Sequence, residues 1–196
     1  MNEPIEIIKY RGHKIKIFQD DNCSGPDFWE NDDVFLVASH RQFTVGRKEF
    51  DTQRINTVYQ TKNMYNGYHI FALNAYIHSG VALSLTRQGQ FGDHWDSSHI
   101  GFVLVKHTKG WSWTREKALV IAGSLLIEWN QYLSGEVYGY DSEIDSCWGF
   151  YGDEGKADMI EEAKGEIDRH IEKKATVENQ LMMQNFMQNK PLNLGL

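Results

Sequence analysis

The stretch that most constrains the fold is Gly135–Gly152, where aromatic side chains alternate with glycines. Aromatic and β-branched residues suit a pleated, half-buried surface, and glycine within such a run marks a bulge or a close approach to the backbone. The pattern predicts a β-hairpin with strands Glu136–Tyr140 and Asp145–Tyr151 joined by a short turn. In that pairing, Gly139 leaves room for the indole of Trp148.

The rest of the chain places strands first and long helices late. Residues 5–19 form a predicted hairpin that turns at Arg11-Gly12, and further strands are predicted over 34–39, 68–78, 81–86 and 100–107. Residues 44–66 are polar and mixed, which predicts a loop with a helical turn or two. Thr114 is a candidate N-cap, Gly135 a stop signal, and apolar residues recur every three or four positions over 114–133 and again over 156–174. The order predicts an α+β fold: a mainly antiparallel sheet with two C-terminal-half helices packed on one face.

The chain length and composition are typical of a globular protein. The 196 residues are 41% hydrophobic and 24% charged, which is ordinary for a chain with a real core. We predict a single α+β domain over residues 1–175 and a C-terminal helical or loose tail over 176–196. The amphipathic part of this tail, 181–187, either packs on the domain, frays, binds a partner, or pairs with a second copy in a homodimer.

The chain is acidic, with a net charge of −7 and a sequence pI near 5.6. A negative net charge is unfavourable for binding nucleic-acid phosphates over a broad face, but it favours binding to a basic protein surface. The alternative is that the charge only keeps the protein soluble. Charge complementarity steers protein association. The candidate partner-binding residues are Asp20, Asp21, Asp27, Glu30, Asp32 and Asp33; the alternative for each is a solvated loop position.

Signals for export and for membranes are missing. The N-terminus has no basic start followed by an apolar run, and no segment approaches the roughly 18 apolar residues that a membrane span requires. Cys23 and Cys147 form no C-x-x-C motif, and a cytosolic chain keeps such residues as thiols. We therefore expect a cytoplasmic protein with no membrane partner.

A series of motifs in order along the chain resembles a family of proteins encoded by bacteriophages, plasmids and other mobile elements. The resemblance covers roughly Ile15 to His170. The motifs that carry it are Tyr76-Ile77-His78-Ser79-Gly80, Trp95-Asp96-Ser97, Gln131-Tyr132-Leu133-Ser134-Gly135-Glu136-Val137-Tyr138-Gly139-Tyr140 and Asp145-Ser146-Cys147-Trp148-Gly149-Phe150-Tyr151-Gly152. One departure is Ser98, where the family commonly has glycine. Because no activity is established for the family, the resemblance implies a setting: a mobile-element accessory protein that works in the cytoplasm of the bacterial host cell.

Four residues are candidates for hydrolytic chemistry: His40, His78, Ser79 and Asp96. Nucleophilic catalysis needs a base within hydrogen-bond reach of the nucleophile and a third group that orients the base. The residue types are present without the spacing of a nucleophile elbow. The alternative is that Ser79 is a turn residue and that Asp96 hydrogen-bonds within a loop.

No metal or cofactor is predicted. The sequence has no H-E-x-x-H or C-x-x-C motif, no EF-hand loop and no glycine-rich phosphate fingerprint. For single-stranded nucleic acid, the candidate stacking residues are Trp111, Trp113, Tyr138 and Phe150. The alternative for the two tryptophans is that they brace the corner between a strand and a helix.

The favoured function is a non-enzymatic inhibitor of a host defence system, of the anti-CRISPR or anti-restriction type, that acts by protein–protein binding. The expected partner is a host protein such as a defence nuclease. Two alternatives remain open: a hydrolase-like enzyme that uses His78, Ser79 and Asp96, and a single-stranded nucleic-acid binder.

Overall fold

The computed structural model describes residues 3–26, 32–38, 40, 45–47, 50–77, 80–85, 97–108 and 114–188. Within them the fold is α+β, as predicted, with nine strands in antiparallel sheets and three helices. The elements are β1 Glu6–Tyr10, β2 His13–Gln19, β3 Val34–Ala38, α1 Thr52–Tyr59, β4 Met64–Tyr65, β5 Tyr68–Ile77, β6 Val81–Ser84, β7 Ser97–Lys106, α2 Arg115–Ser134, β8 Val137–Ser142, β9 Ser146–Tyr151 and α3 Gly152–Gln188.

The strands form two sheets in two compact units. Unit 1 comprises residues 1–20 and 138–196, and unit 2 comprises residues 21–137. Sheet 1, in unit 1, has the order β1-β2-β8-β9. Sheet 2, in unit 2, has the order β3-β7-β5-β4, with β6 paired to β5. Each of the two long helices covers a different sheet, because α3 packs on sheet 1 and α2 packs on sheet 2.

Sheet 1 buries one face against α3. Ile15 and Ile17 of β2 lie in this core together with Tyr140 of β8, and α3 contributes Met159, Ala163 and Ile167 at every fourth position. The period-two alternation of β2 sets which face is buried, and the helical stripe of α3 covers it.

Sheet 2 lies between two helices. Thr114 caps α2 as predicted, since its hydroxyl accepts a hydrogen bond from the backbone N–H of Lys117. Gly135 ends the helix in the left-handed conformation at φ 77°. The α2 residues that pack on the sheet are Ala118, Ala122, Leu126 and Trp129. The opposite face packs against Ile55 of the short helix α1.

Helix α3 continues without interruption beyond its core contacts. It has 37 residues, which corresponds to a length of about 55 Å. Its residues from 172 to 188 are all exposed, so the part of the predicted tail that the structure describes is helical and does not pack on sheet 1. Of the described helices, none is both long enough and apolar enough to cross a lipid bilayer.

Candidate functional site

The predicted hairpin is present as β8 and β9, and its central glycine receives a tryptophan ring. A Cβ atom added to Gly139 would lie 2.2 Å from Cε3 and 2.5 Å from Cδ2 of Trp148. The indole therefore lies against the backbone of Gly139, where no side chain larger than hydrogen fits. The prediction that Gly139 leaves room for this ring is confirmed.

Trp148 belongs to the face of sheet 1 that is turned away from α3, which we call the outer face. Directly paired residues share a face, and Phe18 pairs with Gly139. The rings of Phe18 and Trp148 have centroids 5.8 Å apart and are inclined by 34°. Because Trp148 keeps 49% of its surface exposed, one side of the indole packs on the sheet and the other is open to a partner.

Two isoleucines extend this surface along β1. Ile7 pairs with Lys16, which places it on the outer face, and Ile5 lies two residues before it. Ile5 is 52% exposed and Ile7 is 53% exposed. Together with Phe18 and Trp148 they form an exposed apolar patch, and such patches mark interaction sites more often than isolated apolar side chains do.

The outer face carries positive charge although the whole chain is acidic. Lys9 pairs with Lys14, and Lys16 pairs with Asp141. Nζ of Lys16 lies 3.9 Å from a carboxylate oxygen of Asp141. The strand positions of this face thus hold three lysines against one aspartate, so the apolar patch has a cationic border.

The acidic residues predicted to bind a partner are partly neutralised within unit 2. Oδ1 of Asp32 lies 2.7 Å from a guanidinium nitrogen of Arg47, and this hydrogen bond, with the charge of Arg47, holds the pKa of Asp32 below its ordinary value. Asp33 pairs with Lys106 at 2.9 Å.

The other acidic candidates add little to this surface. Asp20 is half-buried, Asp21 is exposed, and both make contacts of their own. Asp27 and Glu30 lie outside the described residues, so the acidic surface remains a prediction.

The candidate hydrolytic residues fall mostly outside the described part of the chain. His40 is described, half-buried and engaged by a contact. His78, Ser79 and Asp96 lie outside the described residues. Within the ranges that the structure does describe, no group of three or more His, Cys, Asp and Glu side chains is arranged to hold a metal ion.

Two of the four predicted stacking residues, Tyr138 and Phe150, do not lie on the outer face. Tyr138 and Phe150 are half-buried and pack against the core under α3, where Nζ of Lys156 lies 5.5 Å from the centroid of the Tyr138 ring. Trp111 and Trp113 lie outside the described residues. The alternation of β2 could have identified Phe18 as a residue of the outer face, because it lies on the same side of the strand as the exposed lysines.

Unit 2 contains a pair of histidines whose contact no sequence pattern predicted. Nε2 of His69 lies 3.1 Å from Nδ1 of His107, and His69 is only 7% exposed. Burial lowers the pKa of His69, and the charges of His107 and Arg115 lower it further. The neutral form of His69 is therefore favoured, and the pair shares one hydrogen bond at the ends of β5 and β7.

Comparisons with protein-family models, with curated proteins and with solved structures find no match for this chain. The functional assignment therefore depends on the geometry of the chain itself, and the outer face of sheet 1 is the surface that this geometry favours.

Proposed function

We propose that this protein works by binding another protein through the outer face of sheet 1. The observation that carries the proposal is the indole of Trp148, which is held against Gly139 and is half-exposed beside Phe18. Tryptophan is enriched among the residues that dominate binding energy at interfaces. A ring that is already held in place loses little conformational freedom on binding, which favours affinity.

The composition of the face favours a protein over a single-stranded nucleic acid. Ile5 and Ile7 are aliphatic and offer no ring on which a base can stack, yet both are more than half exposed. The lysines around them complement acidic side chains at the border of an apolar depression. The partner that fits is thus a protein with an apolar pocket and an acidic rim.

The resemblance to proteins of mobile elements makes a protein of the bacterial host the expected partner. Blocking a protein of a defence system is then the expected consequence of binding, of the anti-CRISPR or anti-restriction type. Contact through a cationic, apolar face differs from the acidic contact that the overall charge first indicated. Asp32 and Asp33, each in an ion pair, have less charge to offer a partner than isolated carboxylates would.

The direct test is site-specific crosslinking followed by affinity measurement. A photoreactive benzoylphenylalanine in place of Ile7 captures the partner from host cells, and the purified partner is then titrated with the wild type and with Trp148→Ala. We expect the dissociation constant of Trp148→Ala to rise by about 30-fold or more, as for other interface hot spots. The matched control is Val120→Ala, which removes an exposed apolar side chain from α2. This variant is expected to leave the dissociation constant unchanged.

Two results would count against the proposal. One is a partner that binds Trp148→Ala as tightly as it binds the wild type. The other is salt-dependent binding of single-stranded oligonucleotides that Trp148→Ala abolishes, which would assign the outer face to nucleic acid instead. If the partner is a defence protein, phage plating on cells that express the wild type should exceed plating on cells that express Trp148→Ala.

We further infer that the exposed end of α3 pairs with a second copy of the chain. Large apolar side chains lie exposed along its last three turns: Val177, Leu181, Met182, Met183, Phe186 and Met187. Residues 172–188 contain two lysines and two glutamates, so two copies of the segment can pair with little charge repulsion. Pairing would remove this apolar surface from water.

This inference predicts a change of oligomeric state without a change of fold. The double variant Leu181→Glu/Phe186→Glu is expected to convert a dimer into a monomer in light scattering, because like charges would be forced into the apolar contact. Its melting temperature at low protein concentration should match that of the wild type, since neither residue packs in the core between α3 and sheet 1. A wild type that is monomeric at high micromolar concentration would contradict the inference.

A further inference from the structure

Unit 2 contains a second candidate site, a pocket between α1 and sheet 2 that is independent of the outer face. Its volume is about 440 Å³, within the range of small-molecule sites. It is lined by Asn56, Tyr59 and Gln60 of α1 and its end, Ala72 and Asn74 of β5, Leu85 after β6, and His99 of β7. None of these lining side chains is a carboxylate, a lysine or an arginine.

The pocket exists because α1 is too short to cover sheet 2. The helix has eight residues and spans about 12 Å, whereas β5 has ten residues and spans about 33 Å. Ile55 packs over the part of the sheet around Ile70 and Leu104, and α1 ends at Tyr59. Beyond that point, next to the small side chain of Ala72, the described residues leave the sheet face uncovered.

A β-bulge places polar side chains in the pocket. The register of β5 with β7 passes from Leu73 opposite Gly101 to Asn74 opposite His99, so Ile100 is the extra residue. Ile100 packs into the core on the α2 side, and His99 stands across from Asn74 on the pocket side. In a regular ladder Ile100 would face Asn74 and fill this space with an apolar side chain.

The floor of the pocket is an asparagine whose amide has no partner in the described chain. Asn74 is only 3% exposed, yet no hydrogen bond engages its side chain among the described residues, and it lines the pocket. The buried side-chain atoms without a hydrogen-bond partner in the described chain are Nδ1 of His13 and Nε1 of Trp129, and the amide atoms of Asn74 are not among them. The amide is therefore open to the pocket, where water or a ligand can pair with it. Asn130 on the other side of the sheet shows the ordinary arrangement: its amide bonds both the N–H and the carbonyl of Leu83, at 2.7 and 3.0 Å.

Two rings form the walls of the pocket and offer flat surfaces for contact beside this amide. The rings of Tyr59 and His99 both pack on Phe102, with centroid separations of 5.4 and 5.0 Å. Phe102 is fully buried and so fixes both rings. The amides of Asn56 and Gln60 lie at the more exposed side of the pocket.

We propose that this pocket binds an uncharged planar heterocycle of the nucleobase type, with the amide of Asn74 hydrogen-bonded to its edge. A carboxamide carries an adjacent acceptor and donor, which match the paired donor and acceptor on the edge of a base. The rings of Tyr59 and His99 give the base apolar contact. The described lining residues include no lysine or arginine that could pair with a phosphate, so the base and not a phosphate is the expected point of recognition.

The test compares two asparagine variants and four probes. Adenosine, guanosine, cytidine and uridine are titrated into the full-length protein by saturation-transfer NMR and calorimetry. We expect at least one of them to bind saturably, and Asn74→Leu to weaken that binding by about tenfold or more. The 5′-monophosphate of the same nucleoside is expected to bind no more tightly than the nucleoside.

Thermal unfolding without any ligand distinguishes a binding role of the Asn74 amide from a structural role. Asn74→Leu is expected not to lower the melting temperature, because the amide makes no hydrogen bond within the described chain and leucine has a similar size. Asn130→Leu, the matched control, is expected to lower it, because it leaves the backbone groups of Leu83 unpaired. The proposal is overturned if none of the four nucleosides binds, or if binding survives Asn74→Leu. A lower melting temperature for Asn74→Leu would also overturn it, because the amide would then have a structural role.

Discussion

Replacing Gly101 with alanine is expected to destabilise unit 2 by at least about 3 kcal/mol, the upper range for overpacking a protein core. An added Cβ would lie 2.1 Å from the carbonyl oxygen of Val37 and 2.6 Å from the Cα of Ala38. Both atoms belong to the backbone of β3, which pairs with β7 at this position. A side chain can rotate away from a clash, but a paired strand moves only if its hydrogen bonds break.

The measurement is equilibrium unfolding in urea, with Gly123→Ala as the matched control. Gly123 lies inside α2, where an added Cβ has no atom within 4 Å. Alanine is a better helix former than glycine, so this variant is expected to gain about 0.5–1 kcal/mol. Equal stabilities for Gly101→Ala and the wild type would show that β3 does not lie as close to β7 as the structure places it.

Gly139→Ala is expected to displace the indole of Trp148 and to cost about 1–3 kcal/mol. The added methyl group would meet ring atoms of Trp148 at 2.2–2.9 Å, and no rotation of the methyl group avoids them. In a Trp148→Ala background the same change is expected to cost nearly nothing, because the clashing ring is gone. The difference between the two backgrounds is the coupling energy of the pair.

The Gly139→Ala variant also tests the proposed function. Gly139→Ala keeps the tryptophan but moves it, so partner binding should weaken almost as much as it does in Trp148→Ala. Gly165→Ala, in the open middle of α3, serves as the control in the same unit and is expected to leave binding intact. If Gly139→Ala costs the same in both backgrounds, the close packing of Trp148 on Gly139 is wrong.

The role of the outer face followed only in part from the sequence. The glycine spacing around Trp148 predicted both the hairpin and the contact with Gly139, because close packing across a two-stranded ribbon depends on residues near one another in the chain. It did not predict that β2 pairs with β8, which brings Phe18 to the same ring. Tyr138 and Phe150 were candidates for exposure, but α3 covers them.

The pocket in unit 2 was not foreseen at all. Its floor depends on a one-residue bulge that sets Asn74 opposite His99, and its opening depends on where α1 ends. A bulge changes the register of a ladder without an obligatory residue type at Ile100 or Asn74. No local pattern in either strand therefore pointed to the pair.

The sequence by itself determined the local elements of this protein: the alternation of β2, the cap at Thr114, the helix end at Gly135 and the α+β order of strands and helices. These signals act over a few residues, through backbone preference and the side on which apolar groups lie. Only the tertiary structure decided which strands are neighbours, which side chains face each other and which surfaces stay open. Strand pairing is stabilised by contacts between residues far apart in the chain, such as Ile17 and Tyr140, and alternation within one strand specifies a face but not a neighbour.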